Sequence, residues 1–195
     1  MTLPLVLFLA AGAMLALILI RHRFFAFRAQ KPEDYPMDRG IQFDIRERLN
    51  GPIKCEGVIF GPLGRVSSRF EADFEARWEG NKGVMAEHFR YDSGNEQDRE
   101  WRLSVGNDGT IRAEADDVIG TGIGRQHGSA MSLNYRIRLT EEAGGHVLDV
   151  VDWMYLTPNG TIINRSQFRK FGIKVAELVA TLRPVEAEAE RIAAE

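Results

Sequence analysis

Apolar and polar residues alternate along most of this chain. From Val66 to Trp78 the even positions read Val, Ser, Phe, Ala, Phe, Ala, Trp, and the odd ones Ser, Arg, Glu, Asp, Glu, Arg. A period of two with one dry face marks a half-buried β-strand. Met131 to Leu139 repeats the pattern, with Met131, Leu133, Tyr135, Ile137 and Leu139 on one face. Turn signals recur at short intervals, among them Asn50-Gly51, Gly61-Pro62-Leu63-Gly64, Ser93-Gly94-Asn95, Asn107-Asp108-Gly109 and Asn159-Gly160. Short alternating strands at this spacing predict an antiparallel meander. No stretch between Gly40 and Thr161 carries a convincing period of 3.6. About eight to ten strands must bury one face and dispose of their edges; an up-and-down barrel does both, and a two-sheet sandwich is the alternative. The expected fold class is mainly β, an antiparallel up-and-down barrel.

The N-terminus breaks this pattern. Leu3 to Ile20 holds no charged residue, and Arg21-His22-Arg23 ends the run. As a helix it spans roughly 27 Å, close to a bilayer core. The expected organisation is a transmembrane anchor over 1–23, a juxtamembrane linker over 24–40, a barrel over 41–183 and an acidic Ala/Glu-rich tail over 184–195. A cleaved signal peptide is the rival reading of the first segment. It fits less well, because no basic residue precedes the apolar run and no small-x-small site follows it. Arg21, Arg23, Arg28 and Lys31 crowd the C-terminal flank, so the charge rule places the domain in the cytoplasm. Phe24, Phe25 and Phe27 interleave with these cations at the level of the headgroups.

Composition excludes more than it identifies. The net charge of −3 leaves no basic footprint for nucleic acid. Cys55 is the only cysteine, so no intramolecular disulfide forms, and it reads as a small buried hydrophobe. Gly120-Thr121-Gly122-Ile123-Gly124 precedes no helix and so reads as a turn and strand with close backbone approach, not a phosphate loop. His88, His127 and His146 are scattered, and Ser129 has no nucleophile elbow around it. The sequence presents no catalytic residue, no metal site and no cofactor site.

Parity exposes the candidate chemistry. Glu87 shares a face with Met85, Phe89 and Tyr91; Arg99 with Trp101, Leu103 and Val105. Over Ile111 to Ile119, Asp117 lies with Ile111, Ala113, Ala115 and Ile119; Asp152 lies with Leu148, Val150, Met154 and Leu156. Three acids and one arginine are thus expected to point inward, where each must be paired, hydrogen-bonded or protonated. The midpoint of 87 and 99 is the Ser93 turn, which sets Glu87 opposite Arg99. Two readings remain open. In one, Glu87 and Arg99 are a structural pair, with Asp117 and Asp152 bonded to backbone near the barrel ends. Alternatively Glu87, Arg99, Asp117 and Asp152, with Tyr91 and Trp101, line a cavity and hold a ligand's polar head. A barrel of this size is either filled or holds one small ligand.

The succession Gly64-Arg65-Val66 with Arg69-Phe70, Glu87-x-Phe89-x-Tyr91-Asp92-x-Gly94 and Arg99-x-Trp101 resembles bacterial domain-of-unknown-function family 3833. So do Ala115-Asp116-Asp117-Val118-Ile119-Gly120, Asp152-Trp153-Met154, Asn164-Arg165 and Lys170-Phe171-Gly172. The resemblance runs from about Phe43 to Arg183. It implies a Gram-negative envelope protein, commonly a lipoprotein, with a lipocalin-like (calycin-like) barrel and no established activity. This chain lacks the lipobox cysteine and carries Leu3 to Ile20 in its place. The envelope location conflicts with the charge rule, so the side of the bacterial cell membrane stays open. Phe168-Arg169-Lys170-Phe171 reads either as a solvated loop face or as a contact for anionic headgroups.

The functional expectation is a membrane-tethered barrel that binds a lipid or other apolar small molecule. The alternatives are an envelope structural protein with a filled barrel, and a membrane-bound hydrolase or isomerase using Glu87 and Asp117. The expected partners are membrane lipid and an apolar small molecule, with no nucleic acid.

Overall fold

The computed structural model describes residues 2–24, 26–36 and 41–185. The acidic tail expected beyond residue 185 lies outside the described residues. Ten antiparallel strands close into one barrel: β1 (Gly51–Phe60), β2 (Val66–Glu79), β3 (Lys82–Tyr91), β4 (Glu96–Val105), β5 (Thr110–Glu114), β6 (Gly122–His127), β7 (Ala130–Arg138), β8 (Val147–Leu156), β9 (Ile162–Lys170) and β10 (Ile173–Pro184). Each strand pairs with its sequence neighbour, and β10 returns to β1 with Cys55 opposite Leu182. Closure removes every exposed edge. Val175 to Leu182 forms the middle of this closing strand.

Alternation places the core. Phe70, Ala72, Phe74 and Ala76 of β2 are buried, while Arg69, Glu71, Glu75 and Arg77 are exposed. Two glycines make room for rings on the inner face. A Cβ on Gly57 would stand 2.7 Å from Ala180 Cβ and Phe70 Cζ. A Cβ on Gly83 would stand 2.6 Å from the Trp78 ring, its cross-strand partner. Gly57→Ala is therefore expected to destabilise the domain by about 1–3 kcal/mol through overpacking, read as a lower urea midpoint with unchanged m.

The two ends differ. At the end where β1 begins, a single helical turn, α2 (Ile45–Arg48), closes the barrel. No helical period announced it; it rests on the Asp44 side chain, which caps Arg46 N–H, and on burial of Phe43, Ile45 and Leu49. Trp78 Nε1 donates to Leu49 O at 2.7 Å and locks the plug. The other end carries the β1–β2, β3–β4, β5–β6, β7–β8 and β9–β10 connections.

One expected strand is shorter than its pattern. Ile111 to Ile119 reads as one strand, but β5 ends at Glu114. Asp116 and Asp117 take a turn closed by Val118 N–H to Ala115 O, 3.0 Å. The turn shifts the parity, so Val118 is buried and Ile119 is 41% exposed. The segment then docks on the upper part of β7, through Ile119 N–H to Arg136 O and Arg138 N–H to Asp117 O, both 2.8 Å. Gly122 and Gly124 follow on the inner face of β6, where a Cβ on Gly124 would run into the Ser132 carbonyl.

The N-terminal helix α1 (Leu3–Phe24) is, among the described residues, the one helix long and apolar enough to cross a membrane. Part of the stretch after it lies on the outer wall of β7, β8 and β9. The Tyr35 ring packs 5.3 Å from both Trp153 and Tyr155, and Arg165 sits 4.8 Å over the Phe27 ring. Gln30 Oε1 accepts from Tyr155 Oη at 2.8 Å and from Tyr35 Oη. This strap explains why Trp153, on the outward parity of β8, is buried.

Candidate functional site

The barrel is hollow. A cavity of about 760 Å³ extends from Ile45 and Leu49 of the plug to Ser93, Asn95 and Thr140 in the turns of the opposite end. That volume suits a small-molecule site. Its wall is mostly apolar. Phe70, Phe74, Phe89 and Tyr91 form an aromatic group, with Phe89 5.4 Å from Phe70, 5.5 Å from Phe74 and 6.1 Å from Tyr91. Tyr91 Oη donates to Gln97 Oε1 at 3.2 Å.

Strand pairing sets the polar group within this wall. Glu87 and Arg99 are directly opposite in the β3–β4 register. Arg99 Nη1 lies 3.9 Å from Glu87 Oε2, while Arg99 Nε donates to Asp117 Oδ1 at 3.0 Å. The tight partner of Arg99 is thus Asp117, brought in by the β5–β6 connection and not by a strand. The guanidinium also lies 4.0 Å over the Trp101 ring, and Trp101 meets Tyr135 edge-on at 5.3 Å. Asp152 stands apart from this pair, in the middle of β8. Asn164 Nδ2 and Ser166 Oγ of β9 donate to its Oδ1 at 2.5 and 2.8 Å. Both aspartates were open to backbone hydrogen bonding in the sequence; both take side-chain partners instead.

Glu87 is 6% exposed. Burial pushes its carboxyl up to about 7, with Arg99 acting against that and Asp152 and Asp117 adding to it. Burial also raises Asp152, against the hydrogen bonds from Ser166 and Asn164. Burial drives the Cys55 thiol upward as well, so it stays protonated and unreactive. Two polar atoms in the group have no hydrogen-bond partner among the described residues: Glu87 Oε2 and Arg99 Nη2. A buried donor and a buried acceptor left open in one lumen are costly unless something else meets them.

Asn164, Ser166 and Tyr135 belong to the site and were not among its sequence candidates. Parity held the signal for the first two, since Asn164 and Ser166 share a face with Ile162 and Phe168 on β9. Tyr135 was read only as an apolar-face residue. Among the described residues no three His, Cys, Asp or Glu side chains converge closely enough to hold a metal ion.

A closed antiparallel barrel with one plugged end and a polar group inside an apolar lumen is a lipocalin-like architecture. The chain belongs to the family described as "Protein of unknown function (DUF3833)", whose profile matches residues 22–184. Its fold is shared with the structure of the S-type phycobiliprotein lyase CPES from Guillardia theta. That likeness has a TM-score of 0.51 and 6% sequence identity, and covers 71% of this chain and 89% of the other. No curated protein matches the sequence.

Proposed function

We propose that this protein is a membrane-tethered carrier whose barrel holds one small, mostly apolar molecule. The molecule's polar group lies between Glu87 and Arg99, with Asp117 and Asp152 holding the surrounding charges and Tyr91 and Trp101 against its body. The observation that carries this reading is the hollow lumen with Glu87 Oε2 and Arg99 Nη2 both unmet inside it. A filled structural barrel would have neither. The lipocalin-like fold, shared with a phycobiliprotein lyase, supports an apolar ligand. α1 supports the tether by its length and composition.

The charges narrow the ligand class. Three carboxyl groups surround one guanidinium, so an anionic head would meet net repulsion. A neutral head that both donates and accepts, such as a hydroxyl or amide, satisfies both open atoms. The full chain in mild detergent is expected to bind a long-chain alcohol at least about tenfold tighter than the carboxylate of equal length at pH 8, read by tryptophan quenching. Failure of the folded protein to bind any long-chain probe, with no molecule extracted from it by organic solvent, would sink the carrier reading.

A further inference from the structure

The largest exposed apolar side chains outside α1 are gathered at one place. Phe171 is 92% exposed, Leu63 86% and Ile173 70%. Phe171 and Ile173 belong to the β9–β10 hairpin and Leu63 to the β1–β2 connection. These two tips are neighbours on the rim, because the strand order there is β9, β10, β1, β2. Both lie at the end away from the α2 plug, where the cavity reaches the turns. The tips of the plugged end, at Gly80-Asn81, Asn107-Asp108 and Pro158-Asn159, carry no large apolar residue.

Backbone geometry makes Phe171 stand out further. Phe171 and Gly172 both have positive φ, 52° and 79°, in a two-residue hairpin turn. Such turns favour Asn, Asp or Gly at the first position, and a bulky residue there is strained. At 92% exposure Phe171 gains little packing from the described residues to offset this; Lys170 Nζ lies 6.0 Å from its ring. An apolar side chain held in water at a backbone cost points to a partner outside the fold.

The position of α1 says which partner. α1 ends at Phe24, and three residues later Phe27 is already docked under Arg165 of β9. Burial lowers the Arg169 pKa, and the charge of Arg28 nearby lowers it further. The anchor therefore leaves the barrel on the same sector of the same rim. Cations flank the tips, with Arg65, Lys170 and Lys174 beside Leu63, Phe171 and Ile173. The β7–β8 connection beside this hairpin carries Glu141 and Glu142, with His146 3.1 Å from Lys170, and the β5–β6 connection on the opposite side of the rim carries Asp116.

We infer that the open end of the barrel faces the bilayer, with Leu63, Phe171 and Ile173 inserted beside α1 and the β5–β6 connection with Asp116 lifted clear, so that ligand passes between lipid and lumen without crossing water. This rests on α1 being a membrane anchor, as proposed above. Aromatic and aliphatic tips flanked by Lys and Arg are what an anionic interface retains.

The test uses the full chain with Cys55→Ser, reconstituted in phosphatidylcholine–phosphatidylglycerol vesicles. An environment-sensitive fluorophore is attached to a single cysteine replacing Leu63, Phe171, Asn107 or Asp116. Doxyl-labelled lipid is expected to quench positions 63 and 171 and to leave 107 and 116 unquenched. Equal quenching at 63, 171 and 107 would overturn the orientation. Phe171→Asn suits the turn better, so the fold is expected to be no less stable. Transfer of a pyrene-labelled long-chain alcohol between vesicles should nevertheless slow roughly tenfold, with equilibrium binding unchanged. Unchanged transfer would count against the proposal. Quenching at 63 and 171 without alcohol binding would support the orientation and defeat the carrier reading. A chain that stays out of the vesicles would defeat the anchor and the orientation together.

Discussion

Arg99→Met is expected to cost about 3–5 kcal/mol of stability at pH 8, measured by urea denaturation. Among the described residues the arginine is the cation that acts on Glu87, Asp117 and Asp152 together. Its removal strips Asp117 of a 3.0 Å ion pair and Glu87 of its only nearby positive charge. The stacking on Trp101 goes with it, worth about 0.5–2 kcal/mol. Glu87 and Asp152, already raised by burial, lose the charge of Arg99 that lowers them, so their folded pKa values rise further above the unfolded ones. Stability must then recover as pH falls, and the deficit at pH 5 should be well under that at pH 8. Adding Asp117→Asn to Arg99→Met should restore part of the loss. A deficit below about 1 kcal/mol, equal at both pH values, would show that the arginine does not neutralise this group.

Glu87→Gln is expected to act in the opposite direction. Burial holds the folded carboxyl at about 7, against an ordinary value of 4.5. Below pH 4.5 it is protonated in both states and contributes no difference. Between about 4.5 and 7 the unfolded chain has released the proton and the folded one has not, so stability falls as pH rises. Above 7 the full penalty stands, on the order of 3 kcal/mol at about 1.4 kcal/mol per pH unit of that window. Glutamine keeps the shape and cannot ionise. The variant should therefore be more stable than the parent at pH 8, with the gap closing toward pH 4.5. Asp152, also raised, leaves a residual slope in both proteins. A variant that is less stable by the same amount at every pH would mean that Glu87 serves chiefly as the ion-pair partner of Arg99.

These two outcomes differ in sign although Glu87 and Arg99 face each other in one register. The reason is geometric: 3.9 Å separates them, whereas 3.0 Å separates Arg99 from Asp117. Sequence parity put Glu87 opposite Arg99 and implied one buried pair. It had no means of ranking Asp117 above Glu87, because Asp117 reaches the site from a turn.

Parity along β2, β3, β4, β7 and β8 was legible residue by residue, because a strand that buries one face must alternate. The turn residues between them were legible too, because glycine and asparagine mark the positions where φ becomes positive. Together they determined a mainly β meander and which of Glu87, Arg99 and Asp152 look inward. The uncharged run from Leu3 to Ile20 likewise determined an apolar helix. Three things were decided only by the tertiary structure. The Asp116–Asp117 turn broke the parity of β5, since a local hydrogen bond can outweigh a pattern of two. The α2 plug forms from one helical turn, too short to show a period, and is held by burial of Ile45 and Leu49. The strap on Trp153 depends on contacts between residues more than a hundred positions apart. Alternation reports which side of a strand is dry; it cannot report whether the dry space is filled, what covers the outer wall, or which end stays open.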